Sequence, residues 1–401
     1  MNRKQIIIIG GGPAGLMAAD MLSPYHDVHI YDKEKNVGQK LLVAGKGGFN
    51  ITNSAQGEEL FHKYTPENFL KDALRDFNPD ALRKWLLEMD IPTYAGTSGR
   101  IFPQEGIKAI DVLNKITARL KTQNVQFHLK HEFVRFDKNH AVVVKHEEQE
   151  ILLTADYFIF ALGGASWPVT GSTGTWRALF GNIGIRTIPF EASNCGINIG
   201  WPESINLHEG KPLKNIAVSI NQIHEKGEAM ITEHGLEGNV IYPIVPEIRK
   251  ALSENNRAQI LIDFKPFNTA EQLVGKTKGR EIKTKDYATV FNLNSVQLAM
   301  IKAFTSKETF LAPVQFAKKL KQIAIPVNSL RPIEEAISTV GGIDLDEMNP
   351  DFSFKKYPNL FAIGEMLNWD APTGGFLLQA SFSMGHWVGK SILAREEAVG
   401  C

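Results

Sequence analysis

Gly10, Gly12 and Gly15 stand at GxGxxG spacing, with Pro13 and Ala14 between the second and third, and Asp32 follows 17 residues after the last of them. Together these residues can hold a pyrophosphate and a ribose. Gly10 permits a tight turn, Gly12 has no Cβ and lets a pyrophosphate reach the backbone, and Gly15 lets a helix lie close to a strand. A helix starting here offers unpaired N–H groups and its positive dipole end to the phosphates. Asp32 accepts hydrogen bonds from a ribose diol. The elements that must position this set are legible around it. Gln5–Ile9 is an apolar run that reads as a buried strand, a helical pattern continues to about Leu22, and Val28–Tyr31 reads as a second strand ending at Asp32. The unit is βαβ, and the expectation is a dinucleotide site. A glycine-rich structural turn would need three glycines and Asp32 to coincide by chance.

Two distant segments point the same way. Residues 156–164 read as a strand running through Ala161 into the turn Gly163-Gly164, and residues 360–365 as a strand ending in Gly364-Glu365. Both resemble elements of two-dinucleotide-type flavoproteins, where the first returns the chain to the nucleotide sheet and the terminal acid of the second meets the ribityl-phosphate region. The resemblance implies FAD, a cofactor long enough to be touched from both ends of the chain.

The chain has 401 residues, 43% of them hydrophobic, with 44 Lys+Arg against 44 Asp+Glu. That suffices for large cores and leaves no overall preference for a charged partner. Two cysteines, Cys195 and Cys401, make no disulfide framework and no metal cluster, and fit a reducing, cytoplasmic setting. Ile6–Ile9 is too short for a secretory h-region, and no apolar run approaches the length that spans a bilayer.

Three zones are expected within an α/β fold. Residues 1–190 and 339–401 form a discontinuous Rossmann-like FAD-binding domain. In it, Thr65-Pro66 and Asn78-Pro79 each open a helix, a capping residue preceding proline at the first helical position. Ile107 to about Thr122 is helical. Strands near 125–129, 132–137 and 140–146 make a meander leading to the return strand. In flavoproteins of this fold the adenine rests near the backbone of such a crossover, and Val134 is the residue expected there. Residues 191–244 and 326–338 form a β-rich inserted domain, with strands at 195–200, 215–220, 228–232 and 239–242. Residues 245–325 form a mainly helical inserted domain with fourteen Lys+Arg against seven Asp+Glu. This asymmetry suits an anionic substrate or nucleic acid, RNA included, but a solvated lysine-rich helical surface is the preferred reading; few aromatics interleave the 276–285 cluster. Thr373-Gly374-Gly375 precedes a long helical pattern from Leu377, so its backbone N–H groups can stabilise negative charge on the edge of a reduced flavin.

Several blocks resemble the BaiN-like, aminoacetone-oxidase-like family of bacterial NAD(P)/FAD-dependent oxidoreductases. They are Gly38–Asn53, Gly99–Pro103, Gly163–Gly174, Gly341–Asp344 and Ala371–Phe376, spread from end to end, with the insertion matched loosely. The resemblance implies that Gly10, Gly12, Pro13, Ala14 and Gly15 hold the pyrophosphate, with Asp32 at the ribose and Lys33 beside it. It puts Lys40, Gly45, Lys46, Gly47, Gly48, Asn50 and Asn53 on the loop covering the flavin. Ala161, Gly163 and Gly164 contact the cofactor from the return strand. Gly364, Glu365, Asp370, Gly374, Gly375 and Phe376 line the ribityl chain and isoalloxazine. One departure marks a variant subfamily: many members carry Arg-Cys before the loop asparagine, and here the pair is Gly48-Phe49. Chemistry that relies on a thiol there is in doubt.

The implied function is flavin-mediated hydride transfer by non-covalent FAD, with NAD(P)H as a transient reductant and a small molecule as substrate. One alternative is an RNA-modifying flavoenzyme that reduces uridine to dihydrouridine in ribosomal RNA, using the basic insertion to grip RNA. Another is a flavin-binding sensor without turnover. No side chain is assigned as catalytic acid or base; His386, on the last helix, reads as a packed or surface residue. Oligomeric state is left open.

Overall fold

A computed structural model describes residues 3–44, 48–279 and 281–399. Gly45, Lys46 and Gly47 of the expected flavin loop, Arg280 of the basic cluster and Cys401 therefore lie outside the described residues. The chain forms two compact units, residues 1–191 with 338–401, and residues 192–337.

In the first unit, β1 (Gln5–Ile9) lies at the centre of a five-stranded parallel sheet in the order Leu360–Ala362, Tyr157–Phe160, β1, β2 (Asp27–Asp32), Gln126–Leu129. Ile6 to Ile9 are all buried, as a β-branched run covered on both faces must be. Between β1 and β2 runs α1 (Pro13–Leu22), with proline in its first turn and an extended Gly12 as its cap, and no side chain caps its N–H groups. Glycines of the final helix, Phe376–Val399, let it approach α1 closely. A Cβ on Gly385 would lie 2.3 Å from the Ala14 carbonyl oxygen, and one on Gly389 2.5 Å from Met21 Cβ. Asp20 of α1, only 5% exposed, accepts hydrogen bonds from Trp85 Nε1 and Arg119 Nε, each at 2.7 Å.

Asn78 caps the helix Pro79–Leu87, its side chain accepting from Ala81 N at 3.0 Å. Thr65-Pro66 opens no helix. Its peptide is cis, Thr65 exchanges two backbone hydrogen bonds with Asp370, and helix begins only at Lys71. Thr65 gives its carbonyl to Asp370 N rather than to the first turn of a helix. The expected meander is shifted by one strand. Gln126–Leu129 joins the parallel sheet beside β2, and the three-stranded antiparallel sheet is His131–Phe136, Val142–His146 and Gln149–Leu153. Lys130 at φ 59° redirects the chain between the two sheets, and Glu147 at φ 54° closes a tight hairpin into the unanticipated last strand.

The second unit has its own core, running from Ile197 to Val327. Its seven-stranded sheet has the order Ile323–Val327, Ala258–Asp263, Pro212–Ile220, Ile223–Ile231, Gly235–Glu237, Ile197–Asn198, Ser329–Leu330. The stretch 245–325 is mainly helical; its strands are Ala258–Asp263, which pairs on both edges and ties the helices to the sheet, and the start of Ile323–Val327. The strand expected at 239–242 is instead a turn running into the 3-10 helix Tyr242–Ile244, because Gly238 turns at φ 112° and Pro243 has no N–H for a ladder.

Candidate functional site

The C-terminal ends of β1, β2 and Tyr157–Phe160 open onto a cleft of about 360 Å³, within the range of small-molecule sites. The glycine loop forms its floor. Gly10 turns at φ 108°, and a Cβ there would lie 2.3 Å from the Ala161 carbonyl oxygen. A Cβ on Gly15 would lie 2.2 Å from the Gly10 carbonyl oxygen, whereas one on Gly12 would meet nothing within 4 Å. Gly10 and Gly15 are thus required by the protein's own packing. Gly12 faces open cleft at the uncapped start of α1, where an anion is favoured.

Asp32 does more than wait for a ribose. Its Oδ2 accepts from Gly11 N at 2.7 Å and its Oδ1 from Glu34 N at 2.8 Å, which clamps the glycine loop to the end of β2. Burial raises its pKa, and the two backbone hydrogen bonds pull the other way.

Glu365 and Lys40 meet in the cleft wall. Lys40 Nζ lies 2.6 Å from Glu365 Oε2 and 2.7 Å from Ser166 Oγ, and Glu365 Oε1 accepts from Thr339 N at 2.8 Å. Of the residues singled out in sequence, Gly10, Gly12, Pro13, Ala14, Asp32 and Lys33 line the cleft, as do Lys40, Val134, Ala161, Gly163, Gly364 and Glu365. Gly164 stands behind this wall, a Cβ there falling 2.1 Å from Thr339 Oγ1.

A second group gathers at the start of the final helix. Gly374 and Gly375 turn at φ 111° and 98°, and a Cβ on Gly375 would lie 2.4 Å from the Thr52 carbonyl. Asn53 Nδ2 donates to Gly374 O at 3.1 Å, Tyr64 OH donates to Phe376 O at 3.0 Å, and Asn53 pairs across strands with Arg100. Asn50 donates its N–H to Gly48 O at 2.9 Å. Asp370 belongs to the buried bridge with Thr65, and its carboxylate accepts from Ala371 N at 2.9 Å. Asn50, Asn53, Asp370, Gly374, Gly375 and Phe376 do not line the cleft around α1.

Sequence reasoning missed Tyr31, His131, Ser172 and Trp176, which also line that cleft. Ser172 Oγ is buried and has no hydrogen-bond partner among the described residues. Tyr31 and His131 meet edge to face, 5.5 Å between centroids, in the middle of a series of rings. Tyr31 stacks on His128 at 4.2 Å, His131 stacks on His146 at 4.2 Å, and His29 Nδ1 lies 3.0 Å from His128 Nε2. Burial lowers the His128 pKa first, and the neighbouring His29 and His131 lower it further. A histidine held below its unfolded pKa contributes stability that is present above that value, near 6.5, and is lost as pH falls through the folded value. The melting temperature of the protein is therefore expected to fall on acidification below about pH 6.5, and to fall less in His128→Asn. Parallel curves for the two proteins would overturn this.

His386 packs on the Phe77 ring, with centroids 4.5 Å apart, beside Asp76. Glu58, His62 and Glu67 bring potential ligand atoms within 4.8 Å of one another on the surface, though Glu58 is paired with Lys71. In the second unit Lys278, Lys283 and Lys285 are exposed. Lys265 and Lys321 are used internally, on Asn292 O at 2.6 Å and Asp263 Oδ2 at 2.6 Å. Burial, and then Lys276, lower the Lys265 pKa. No helix among the described residues is long and apolar enough to cross a membrane.

Residues 4–391 match the HI0933-like protein Rossmann domain. The chain is 25% identical over 419 residues to a 3-dehydro-bile acid delta(4,6)-reductase of Clostridium scindens, covering 98% of this chain and all of that protein. It is 20% identical over 404 residues to a ribosomal RNA dihydrouridine synthase of Escherichia coli, covering 99% of this chain and all of that one. Among solved structures, the 3-ketosteroid delta1-dehydrogenase of Sterolibacterium denitrificans superposes with a TM-score of 0.52 at 12% identity, over 98% of this chain and all of that one. The fold is thus the Rossmann-like FAD-binding α/β fold of flavoenzymes.

Proposed function

The chain is an FAD-dependent oxidoreductase of the HI0933-like Rossmann family, and we propose that it reduces a carbon–carbon double bond conjugated to a carbonyl in a small molecule. NAD(P)H serves as the transient reductant and FAD is held non-covalently in the cleft around α1. The observation that carries the cofactor's placement is Gly12, open to the cleft at the uncapped start of α1. The buried, unpartnered Ser172 hydroxyl in the same cleft also fits a polar ligand.

FAD, when bound, supplies the hydride chemistry. The residues of this chain position it. Gly12 and the first N–H groups of α1 would take the pyrophosphate, and Asp32 and Lys33 the ribose. Lys40 and Glu365 would flank the ribityl chain as one hydrogen-bonded wall. The turn Thr373–Gly375 would present backbone N–H groups to the ring edge where negative charge develops, with Arg100 and Asn53 beside it.

The choice of substrate class rests on relatives. The names of the bile-acid reductase and the dihydrouridine synthase both describe adding hydrogen across a carbon–carbon double bond. We read the chain as a cytoplasmic, BaiN-like member of the family, which the 25% identity to the bile-acid reductase supports.

The purified protein is expected to be yellow and to release FAD on heating. Under anaerobic stopped flow, NADH or NADPH should bleach the flavin, and a cyclic enone should restore its colour. Colourless protein that takes up no FAD removes the cofactor reading. Flavin that neither nucleotide reduces, or that no enone reoxidises, removes the reaction.

A second reading, RNA as substrate, is favoured by the exposed Lys278, Lys283 and Lys285 and by the dihydrouridine synthase relatives. Reversing these three lysines to glutamate should leave flavin content intact. If RNA is the substrate, the change should flatten the log–log salt dependence of RNA binding by about 1 for each phosphate no longer neutralised. Wild-type protein without salt-sensitive RNA binding would end this reading.

A further inference from the structure

Ser172 is 6% exposed, its Oγ is buried without a hydrogen-bond partner, and it lies in the wall of the cleft. A buried hydroxyl left unpaired is costly, and native proteins complete the bond with a ligand or an ordered water. The hydroxyl sits 3.3 Å from where a Cβ on Gly163 would be, at the exit of the return strand.

The segment carrying it is pinned at several points. Trp167 takes a left-handed conformation at φ 57°, ψ 62°, unusual for a bulky side chain. Thr170 N donates to Trp167 O at 2.9 Å, Gly171 turns at φ 90°, and Thr173 N donates to Gly171 O at 3.1 Å. Lys33 Nζ reaches Thr173 Oγ1 at 3.3 Å, and Trp176 Nε1 donates to Gly163 O at 3.1 Å. A Cβ on Gly171 would lie 3.0 Å from Glu34 Cγ. The segment is thus fastened to the end of β2 on one side and to the return strand on the other, and Ser172 is held between them. Backbone strain of this kind persists only where the surroundings enforce it.

We propose that the Ser172 hydroxyl donates a hydrogen bond to the ADP half of the dinucleotide, so that the strap Trp167–Trp176 selects for that half. The inference rests on FAD occupying the cleft around α1. Its location follows from its neighbours. Lys33 and Glu34 follow Asp32, and Gly163 follows Ala161, whose carbonyl abuts Gly10, so Ser172 lies on the adenosine and phosphate side.

The test compares wild type with Ser172→Ala, each as full-length protein stripped of FAD, by titration with FAD, ADP and FMN. Ser172→Ala is expected to weaken FAD and ADP binding by the same factor, about tenfold, the usual worth of one hydrogen bond to a charged group, and to leave FMN binding unchanged. The melting temperature of the stripped variant should equal or exceed that of wild type, since an unpaired polar atom is gone, while the rise on adding FAD should shrink. Equal FAD and ADP affinities in the two proteins overturn the proposal, as does a loss confined to FMN. A lower melting temperature of the stripped variant assigns Ser172 a structural role and overturns it as well. Wild-type protein that binds no FAD overturns the cofactor reading itself, and this inference with it.

Discussion

Gly12→Val is expected to give a folded protein that has lost FAD. The position is decisive because the glycines of one loop do different work. A Cβ at Gly12 meets nothing of the protein within 4 Å, so a branched side chain there is expected to fit the fold. The space it fills is that from which a pyrophosphate must approach the N-terminus of α1. Displacing a doubly charged group from several backbone N–H donors should raise the FAD dissociation constant on the order of 100-fold or more. Gly10→Ala and Gly15→Ala should behave differently. Each puts a Cβ within 2.3 Å of a carbonyl oxygen, so the fold itself should lose stability before any question of cofactor arises. Flavin absorbance after reconstitution and the melting temperature of the stripped protein separate the two outcomes. Gly12→Val protein that retains FAD places the phosphates elsewhere.

Arg119→Met should destabilise the first unit by about 3 kcal/mol, at the lower end for breaking a buried pair because the guanidinium is partly solvated. The substitution leaves the Asp20 carboxylate buried against α1 with Trp85 Nε1 as its remaining partner of the two, since Arg119 Nε no longer donates. Asp20→Leu combined with Arg119→Met should recover most of the loss, because no uncompensated charge then remains. Urea unfolding followed by tryptophan fluorescence reads both. A single variant as stable as wild type would show that Asp20 finds another partner or is protonated at no cost. Because α1 also carries the glycine loop, the single variant should lose FAD affinity in proportion to the fraction unfolded and no further.

The βαβ core was legible because its determinants are local. Ile6–Ile9 has only one way to be buried, and glycine spacing with a proline start encodes the turn into α1. The Asn78 cap is equally local, a side chain bonding to a backbone three residues away. Thr65-Pro66 shows the same signal overridden by a partner 305 residues distant, Asp370, whose backbone claims Thr65. The shifted meander turns on Lys130, a residue type that gives no warning of a left-handed conformation. Asp32 was legible as an acid in the right place, but not as the clamp on Gly11, which depends on how the two strand ends come together. Ser172 was hidden for a related reason. A serine between glycines and threonines reads as loop, and only the packed structure shows its hydroxyl buried in the cleft wall without a partner among the described residues.

The first helix of the chain and the last are neighbours, with Gly385 of the final helix set against the Ala14 carbonyl. During synthesis α1 leaves the ribosome long before that partner exists. The second unit, residues 192–337, is one uninterrupted stretch with its own core and is complete while the nucleotide unit still lacks its C-terminal part. The strand Leu360–Ala362 and the helix Phe376–Val399 then arrive in close succession. The inserted unit thus finishes first and the interrupted one closes last, its parallel sheet and helix pair complete only after Phe376–Val399 has been made.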